Sequence, residues 1–244
     1  MHVRLFSLLF LAYLMTGCAL FSNSGAENDE DDLTRRVAQY PAPDPEIKSM
    51  LSAYRDSLDE VMGRTIAEVT DTIRFGQPES PLGNIVADAL RFRASGELRT
   101  FINVGIIGQD SFRIYFEPGT LTKGDVYEFM PYENHLVVLT LSGEMLKELA
   151  GQIAVTGGSP VSGLRFRLDD GKASGVLVNA EVIDPGRHYL VATSNYMADG
   201  GGRFPALWKP LHREDLEVSI RDLYIDYFRN KRELSPVTDG RIRQ

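Results

Sequence analysis

The sequence predicts an α/β or α+β domain over residues 44–244, because helical and extended hydrophobic patterns are interspersed along this part of the chain. Apolar residues recur at three- and four-residue spacing in some segments, and short β-prone runs separate those segments. The composition agrees with this fold class, since 43% of the 244 residues are hydrophobic and 25% are charged. Such a chain is long enough to bury a core, and it shows no internal repeat, so we expect one domain.

The first predicted element is a helix that follows Asp44 and Pro45, which suit the N-cap and the first helical position. Gly63 marks its end. The apolar residues that share one helical face by their spacing are Ile47, Met50, Leu51, Tyr54, Leu58 and Val61.

The remaining elements follow from the same two periodicities and from their start signals. Ser80-Pro81 precedes a buried helix, and the other helices show amphipathic spacing. Predicted helices cover residues 82–92, 143–153 and 216–228, and predicted strands cover 65–73, 101–104, 135–141, 164–168, 175–183 and 188–194.

The N-terminal segment predicts an exported lipoprotein. A short basic start and an apolar run too short to span a bilayer make residues 1–17 a signal peptide. The string that ends in Gly17-Cys18 resembles a bacterial lipobox, so Cys18 would be acylated; an ordinary secretory signal with an incidental or buried Cys is the alternative. Residues 18–43 form an acidic tether, more consistent with a solvated spacer than with a cation site. Ala19 in place of Asp favours the outer membrane, facing the periplasm.

Charge and composition exclude several function classes. The net charge of −8 argues against a nucleic-acid partner, whose binding surface is usually basic. A single Cys excludes a disulfide framework and a Cys-ligated zinc site, and the four His are too scattered for a His-rich metal centre. No nucleophile elbow, P-loop or zinc-protease pattern occurs in the sequence.

Two polar loops and one glycine run are the candidate binding features. Tyr132 and Tyr196 lie in polar loop contexts, where an exposed ring can stack on a nucleobase, although each such ring, taken alone, is more often an edge of the core. Gly200 and Gly201 belong to a glycine run before Arg203, which would let a ligand approach the backbone or would simply form a tight turn. From the residues alone, the chain is a binding domain of unknown ligand.

The chain also carries ordered segments that can be compared with known families: 79–88 (ESPLGNIVAD), 124–132 (GDVYEFMPY), 161–166 (VSGLRF), 193–204 and the ending 239–242 (DGRI). In this order they resemble the C-terminal domain of the 5′-nucleotidase family, which includes periplasmic UDP-sugar hydrolases and cyclic-phosphodiesterase relatives. The resemblance covers nearly all of residues 44–243. It implies an α/β domain with a mixed sheet and flanking helices, preceded by a connector helix at 44–62.

The resemblance implies a nucleoside-binding site with several departures. Tyr132 and Tyr196 match the two aromatic residues that sandwich the base. Asn103 matches the Asn of an Asn-x-Gly-Gly-x-Arg loop, whereas its Arg matches Arg113 only if an insertion of about five residues is assumed. Gly202, after Gly200 and Gly201, replaces the Asp that holds ribose hydroxyls in the family.

Two residues lie near positions where the family has a charged residue, but not at the matching position. Asp199 lies close to the missing carboxylate but out of register. Arg74 is the nearest match to an arginine that the family has upstream of Glu79.

The resemblance further implies that catalysis belongs elsewhere. In the family, a separate N-terminal metallophosphatase domain holds two metal ions, and here the residues before Asp44 look like signal and tether. We therefore expect no catalytic residue, metal ligand or cofactor in this chain, and two divalent metals in a partner.

Three hypotheses stay open about the biological role. In the favoured hypothesis, the chain is the binding half of a split 5′-nucleotidase, completed by a separately encoded metallophosphatase, with a nucleotide or nucleoside as ligand. Alternatively, it is a non-catalytic lipoprotein that binds nucleosides or related ligands at the surface. The third hypothesis is a degenerate structural lipoprotein.

Overall fold

The computed structural model describes residues 44–244. The predicted signal segment 1–17 and the predicted acylated Cys18 with its tether to residue 43 lie outside the described residues. The chain divides into two units between Arg55 and Asp56, and the second unit, residues 56–244, carries the sheets and the core. None of the helices in the described part is both long enough and apolar enough to cross a bilayer.

Helices and strands alternate along the described residues. The helices are α1 (Pro45–Met62), α2 (Pro81–Leu98), α3 (Lys123–Phe129), α4 (Gly143–Val155), α5 (Asn195–Ala198) and α6 (Ile220–Lys231). The strands are β1 (Thr65–Val69), β2 (Val104–Ile106), β3 (Gly119–Thr122), β4 (His135–Ser142), β5 (Val161–Ser162), β6 (Leu164–Asp169), β7 (Lys172–Val178), β8 (Glu181–Val182), β9 (His188–Ser194), β10 (His212–Ser219), β11 (Glu233–Leu234) and β12 (Ile242–Arg243).

The strands form three mixed sheets. The central sheet has the order β10-β4-β9-β2-β5, in which only β2 and β9 are parallel. The two smaller sheets have the orders β11-β1-β3 and β12-β6-β7-β8, each with one parallel pair. The predicted α/β class with a mixed sheet and flanking helices is therefore confirmed.

Serine caps decide where the main helices begin. The hydroxyls of Ser80, Ser142 and Ser219 each accept the backbone N–H three residues later, at 3.2, 3.3 and 3.4 Å. Such caps satisfy amides that have no partner within the helix. At α1, Asp44 Oδ1 accepts the N–H of Glu46 at 2.8 Å, as predicted, while the large apolar residues of this helix from Ile47 to Leu58 are exposed.

Several predicted elements have other limits than predicted: the predicted strand 101–104 is found at Val104–Ile106, and two further cases share one cause. The predicted helix 216–228 begins only at Ile220, because the residues before it belong to strand β10, which pairs with β4 up to Asp215 and again at Ser219. The predicted strand 175–183 is a hairpin of β7 and β8, since Asn179 and Ala180 turn the chain with φ of 51° and 68°. In both places a sequence pattern runs across a boundary that cross-strand pairing or turn geometry sets.

An aromatic cluster organises one side of the core. Phe129 of α3 contacts Phe112 with ring centroids 4.5 Å apart and Phe116 at 4.7 Å, and Phe228 of α6 meets Phe116 at 5.6 Å. Buried Tyr224 stacks on Phe228 at 5.8 Å. Phe112 and Phe116 thus anchor the middle of the loop between β2 and β3 to this cluster.

The family-like segments 79–88 and 239–242 meet in one hydrogen-bond network. Glu79 accepts the backbone N–H groups of Asp239, Gly240 and Arg241 at 2.9, 3.2 and 2.9 Å, and it accepts Asn84 Nδ2 at 2.7 Å. These bonds fasten the end of the chain to the start of α2.

Arg241 completes this network from the other side. Its guanidinium forms a bidentate pair with Asp88 at 2.9 and 2.8 Å and donates to Asp239 Oδ1 at 3.0 Å and to the Val161 carbonyl at 2.7 Å. Burial lowers the pKa of Arg241, but the bonds to Asp88 and the charges of Asp88 and Asp239 raise it by more. The family-like segments 79–88 and 239–242 therefore stabilise the fold by joining the end of the chain to α2.

Candidate functional site

Three loops meet at one edge of the central sheet. Strands β4 and β9 are antiparallel, and the pairing of Leu136 with Ser194 puts the start of β4 next to the end of β9. Strand β2 is parallel to β9, with Gly105 opposite Ala192, so β2 ends at this same edge. The loops before β4, after β9 and after β2 therefore converge there.

Tyr132 lies in the loop before β4 and is 38% exposed. The guanidinium carbon of Arg113 lies 5.0 Å from the centre of its ring, a cation–π arrangement that holds the ring in place. The backbone of Arg113 is fixed by a bond from its N–H to the Phe129 carbonyl at 3.1 Å. The structure therefore brings the predicted residues Tyr132 and Arg113 together.

Arg221 of α6 holds the Tyr132 loop from beneath. Its Nε donates to the Met130 carbonyl at 2.8 Å, and its Nη2 donates to the carbonyls of Pro131 and Tyr132 at 2.9 and 3.2 Å. The sequence analysis missed this residue. No local signal could have revealed it, because Arg221 is distant in sequence from the loop that it supports.

Tyr196 lies on the short helix α5 and is 47% exposed. The N–H of Gly201 donates to the Tyr196 carbonyl at 2.8 Å, and a Cβ atom at position 201 would lie 2.5 Å from the Tyr196 Cζ. Gly201 therefore packs directly against this ring. Gly200 and Gly202 have φ of 101° and 74°, which only glycine adopts readily, so the glycine run forms a tight turn that supports Tyr196.

A small open pocket of about 150 Å³ lies between the loop after β2 and the loop after β9. Residues that line it include Gln77, Gly108, Asp110, Ser159, Gly202 and Arg203. Gly108 donates its N–H to the sulfur of Met197, the residue after Tyr196, at 3.0 Å. The pocket is thus connected to the helix that carries Tyr196.

Asn103 is not brought to this edge. It lies before β2, at the end of the strand opposite to Gly108, where its Oδ1 accepts the Leu190 N–H at 2.9 Å and its own N–H donates to the Leu190 carbonyl at 3.0 Å. Its side chain thus extends the pairing of β2 with β9, and the predicted binding role has no support in this geometry.

Between Asn103 and Arg113 the chain forms strand β2 and then the 3₁₀ turn Gln109–Ser111. Gly108, five positions before Arg113, is the residue that stands at the start of the loop.

Asp199 and Arg74 are engaged elsewhere. Arg213 pairs with both Asp199 and Asp215, and its hydrogen bonds to Asp215 and Asp199 raise the pKa of its guanidinium. Arg74 lies 4.1 Å over the Tyr115 ring and bonds Glu117 at 3.3 Å. Neither residue lines the pocket between the two loops.

Over residues 44–244, no group of three or more His, Cys, Asp or Glu side chains could hold a metal ion. What the edge offers is two accessible aromatic rings, a fixed guanidinium and a pocket lined by polar side chains and backbone. Such an arrangement suits the binding of a flat polar ligand.

Comparison with known proteins gives the family. The model of the 5′-nucleotidase C-terminal domain matches residues 61–209. The trifunctional nucleotide phosphoesterase YfkN of Bacillus subtilis is 26% identical over 231 residues, which are 85% of this chain and 16% of that protein. The UshA protein of Escherichia coli is 26% identical over 192 residues, or 73% of this chain and 34% of that protein.

A solved structure agrees with these matches. The 5′-nucleotidase precursor from Thermus thermophilus superposes with a TM-score of 0.69 at 26% identity, and the alignment covers 80% of this chain and 42% of that one. The chain therefore spans less than half the length of each of these relatives.

Proposed function

Because the chain belongs to the family of 5′-nucleotidase C-terminal domains, we propose that it is the nucleotide- or nucleoside-binding half of a split 5′-nucleotidase or UDP-sugar hydrolase. In this proposal, a separate metallophosphatase chain supplies two divalent metal ions and the activated water that phosphate ester hydrolysis requires. The present chain binds the nucleoside part of the substrate and orients it toward that partner.

One observation carries the proposal: Tyr132 and Tyr196 are both accessible at the same edge of the central sheet, next to a polar pocket. Both rings are held by specific contacts, Tyr132 by Arg113 and Tyr196 by Gly201. A ring that is already fixed loses little freedom when a base stacks on it, and each stacked base contributes about 1–3 kcal/mol.

The proposal also includes the location. A signal peptide, an acylated Cys18 and a tether up to residue 43 would place the binding domain in the cell envelope, at the outer membrane and facing the periplasm. Nucleotides that reach that compartment would meet the partner enzyme and this chain together.

A second candidate function is a surface lipoprotein that binds nucleosides without any enzyme partner. It is favoured by Gly108 and Gly202, two glycines that give the pocket backbone but no side chain. Loss of polar side chains weakens the precise positioning that catalysis requires more than it weakens simple binding. A degenerate structural role is the limiting case of this alternative.

Reconstitution tests the split enzyme. A metallophosphatase of this family that lacks its own C-terminal domain is assayed for phosphate release from AMP, with and without the full chain purified in detergent. We expect the chain to raise kcat/KM, and we expect the Tyr132→Ala variant to lose most of this gain.

Tyr115→Ala is the matched control, because Tyr115 is also a partly exposed tyrosine under an arginine, at 42% exposure. Unchanged kinetics on adding the chain would contradict the split enzyme. A chain that binds nucleosides but never changes the kinetics would favour the second candidate.

A further inference from the structure

We propose that Asp110 is the specificity-determining carboxylate of this site, which binds paired hydroxyl groups of the ligand while Tyr132 and Tyr196 bind its base. This inference rests on the proposed function and deepens it. It assigns to the loop after β2 a role that neither Gly108 nor Gly202 can perform, since glycine has no side chain.

The position of Asp110 is the first support. It lies in the short 3₁₀ turn Gln109–Ser111 and lines the same pocket as Gly108 and Gly202. A Cβ atom at position 108 would overlap Asp110 Oδ1, so the carboxylate occupies the space into which a side chain at 108 would project. The pocket therefore has one carboxylate, and it reaches the pocket by folding back over a glycine.

The availability of Asp110 is the second support. The bond that Arg113 donates to this residue, at 3.3 Å, ends on the backbone carbonyl and leaves the carboxylate unused. Within residues 44–244 the side chain of Asp110 has no hydrogen bond or ion pair, whereas Asp199 is held by Arg213. Among the residues that line the pocket, Asp110 is thus the carboxylate, and it is free to bind a ligand.

Chemistry then indicates the ligand group. An ionised carboxylate only accepts hydrogen bonds, and its two oxygens suit two adjacent donors. The vicinal hydroxyls of a ribose are such a pair, and the base attached to the same sugar would extend toward the aromatic rings. Arg203 lines the same pocket and adds a positive charge for an anionic substituent.

The test compares two nucleosides that differ only in those hydroxyls. Adenosine and 2′,3′-dideoxyadenosine are titrated calorimetrically into the full chain and into the Asp110→Ala and Asp110→Asn variants. We expect Asp110→Ala to weaken adenosine about tenfold, since hydrogen bonds to a charged group are lost. Binding of the dideoxy compound should change less than about twofold.

The outcomes separate the two claims. If the wild-type chain binds adenosine, but the variants weaken the binding of both nucleosides equally or of neither, then Asp110 does not bind the hydroxyls and the proposed function stands. If the wild-type chain binds neither nucleoside, the proposed function fails and this inference fails with it. Asp110 is exposed, so thermal unfolding of the variants should match that of the wild type.

Discussion

Replacing Arg241 tests whether the residues that carry the family resemblance at 239–242 stabilise the fold. Replacement by Ala removes the bidentate pair with Asp88 and the bonds to Asp239 and to the Val161 carbonyl. The Arg241 side chain is only 11% exposed, while that of Asp88 is 37% exposed. Breaking a buried pair costs about 3–5 kcal/mol, and water can reach Asp88, so we expect a loss near the lower end, about 3 kcal/mol.

The assay is urea unfolding followed by far-UV circular dichroism, with Arg165→Ala as the matched control. Arg165 also pairs with Asp239, but their side chains are 42% and 43% exposed, so the control should cost less than about 1 kcal/mol. A double-mutant cycle with Asp88→Ala measures the pairwise energy. If Arg241→Ala costs no more than the control, the network does not hold the fold as argued.

Three further predictions concern stability and the aromatic edge. Burial opposes ionisation of Asp239, but the charge and hydrogen bond of Arg241 hold its pKa below its usual 3.8. The stabilisation from the ionised Asp239 is therefore fully present above pH 3.8 and is lost as the pH falls through the lower pKa that this group has in the folded state. When the free energy of unfolding is measured against pH, Asp239→Asn should show a smaller loss of stability on acidification than the wild type. Tyr224→Phe should stabilise the chain by about 1 kcal/mol in urea unfolding, because the buried hydroxyl of Tyr224 has no partner within residues 44–244; a loss of stability would contradict this. Gly201→Ala should weaken AMP binding at least about fivefold, since the new methyl group would lie 2.5 Å from both the Tyr196 Cζ and the Tyr196 carbonyl oxygen and must shift the ring and the turn that holds it; unchanged affinity would show that the ring position is not important.

The sequence predicted the parts of the fold that depend on local signals. Helices that start at a capping Ser, such as α2 after Ser80 and α4 after Ser142, lie where predicted, although α2 continues to Leu98. Elements whose limits depend on a neighbouring strand were misassigned. Leu216 fits the helical spacing of α6 but lies within β10, in the irregular stretch between Asp215 and Ser219, the two residues that pair with β4 on either side of it.

The candidate site was only partly predictable for the same reason. Tyr132 and Tyr196 could be named from the sequence, yet their meeting at one edge follows from the antiparallel pairing of β4 and β9. Asn103 was assigned to the site only by the resemblance to the family loop, and its bond to the Leu190 N–H could not be foreseen from that match. Arg221 bonds a loop that is far from it in the sequence, and Asp110 folds over Gly108 in a short irregular turn. Residue spacing in the sequence predicts neither arrangement.

The most direct measurement is a calorimetric titration of the full chain with AMP, beside the double variant Tyr132→Ala/Tyr196→Ala and the control Tyr115→Ala. The account predicts that the wild type and the control bind AMP, and that the double variant weakens binding at least about 100-fold, as expected for the loss of stacking on both rings. Equal affinity of the double variant and the wild type, or no binding by the wild type, would contradict the claim that this edge binds a nucleobase.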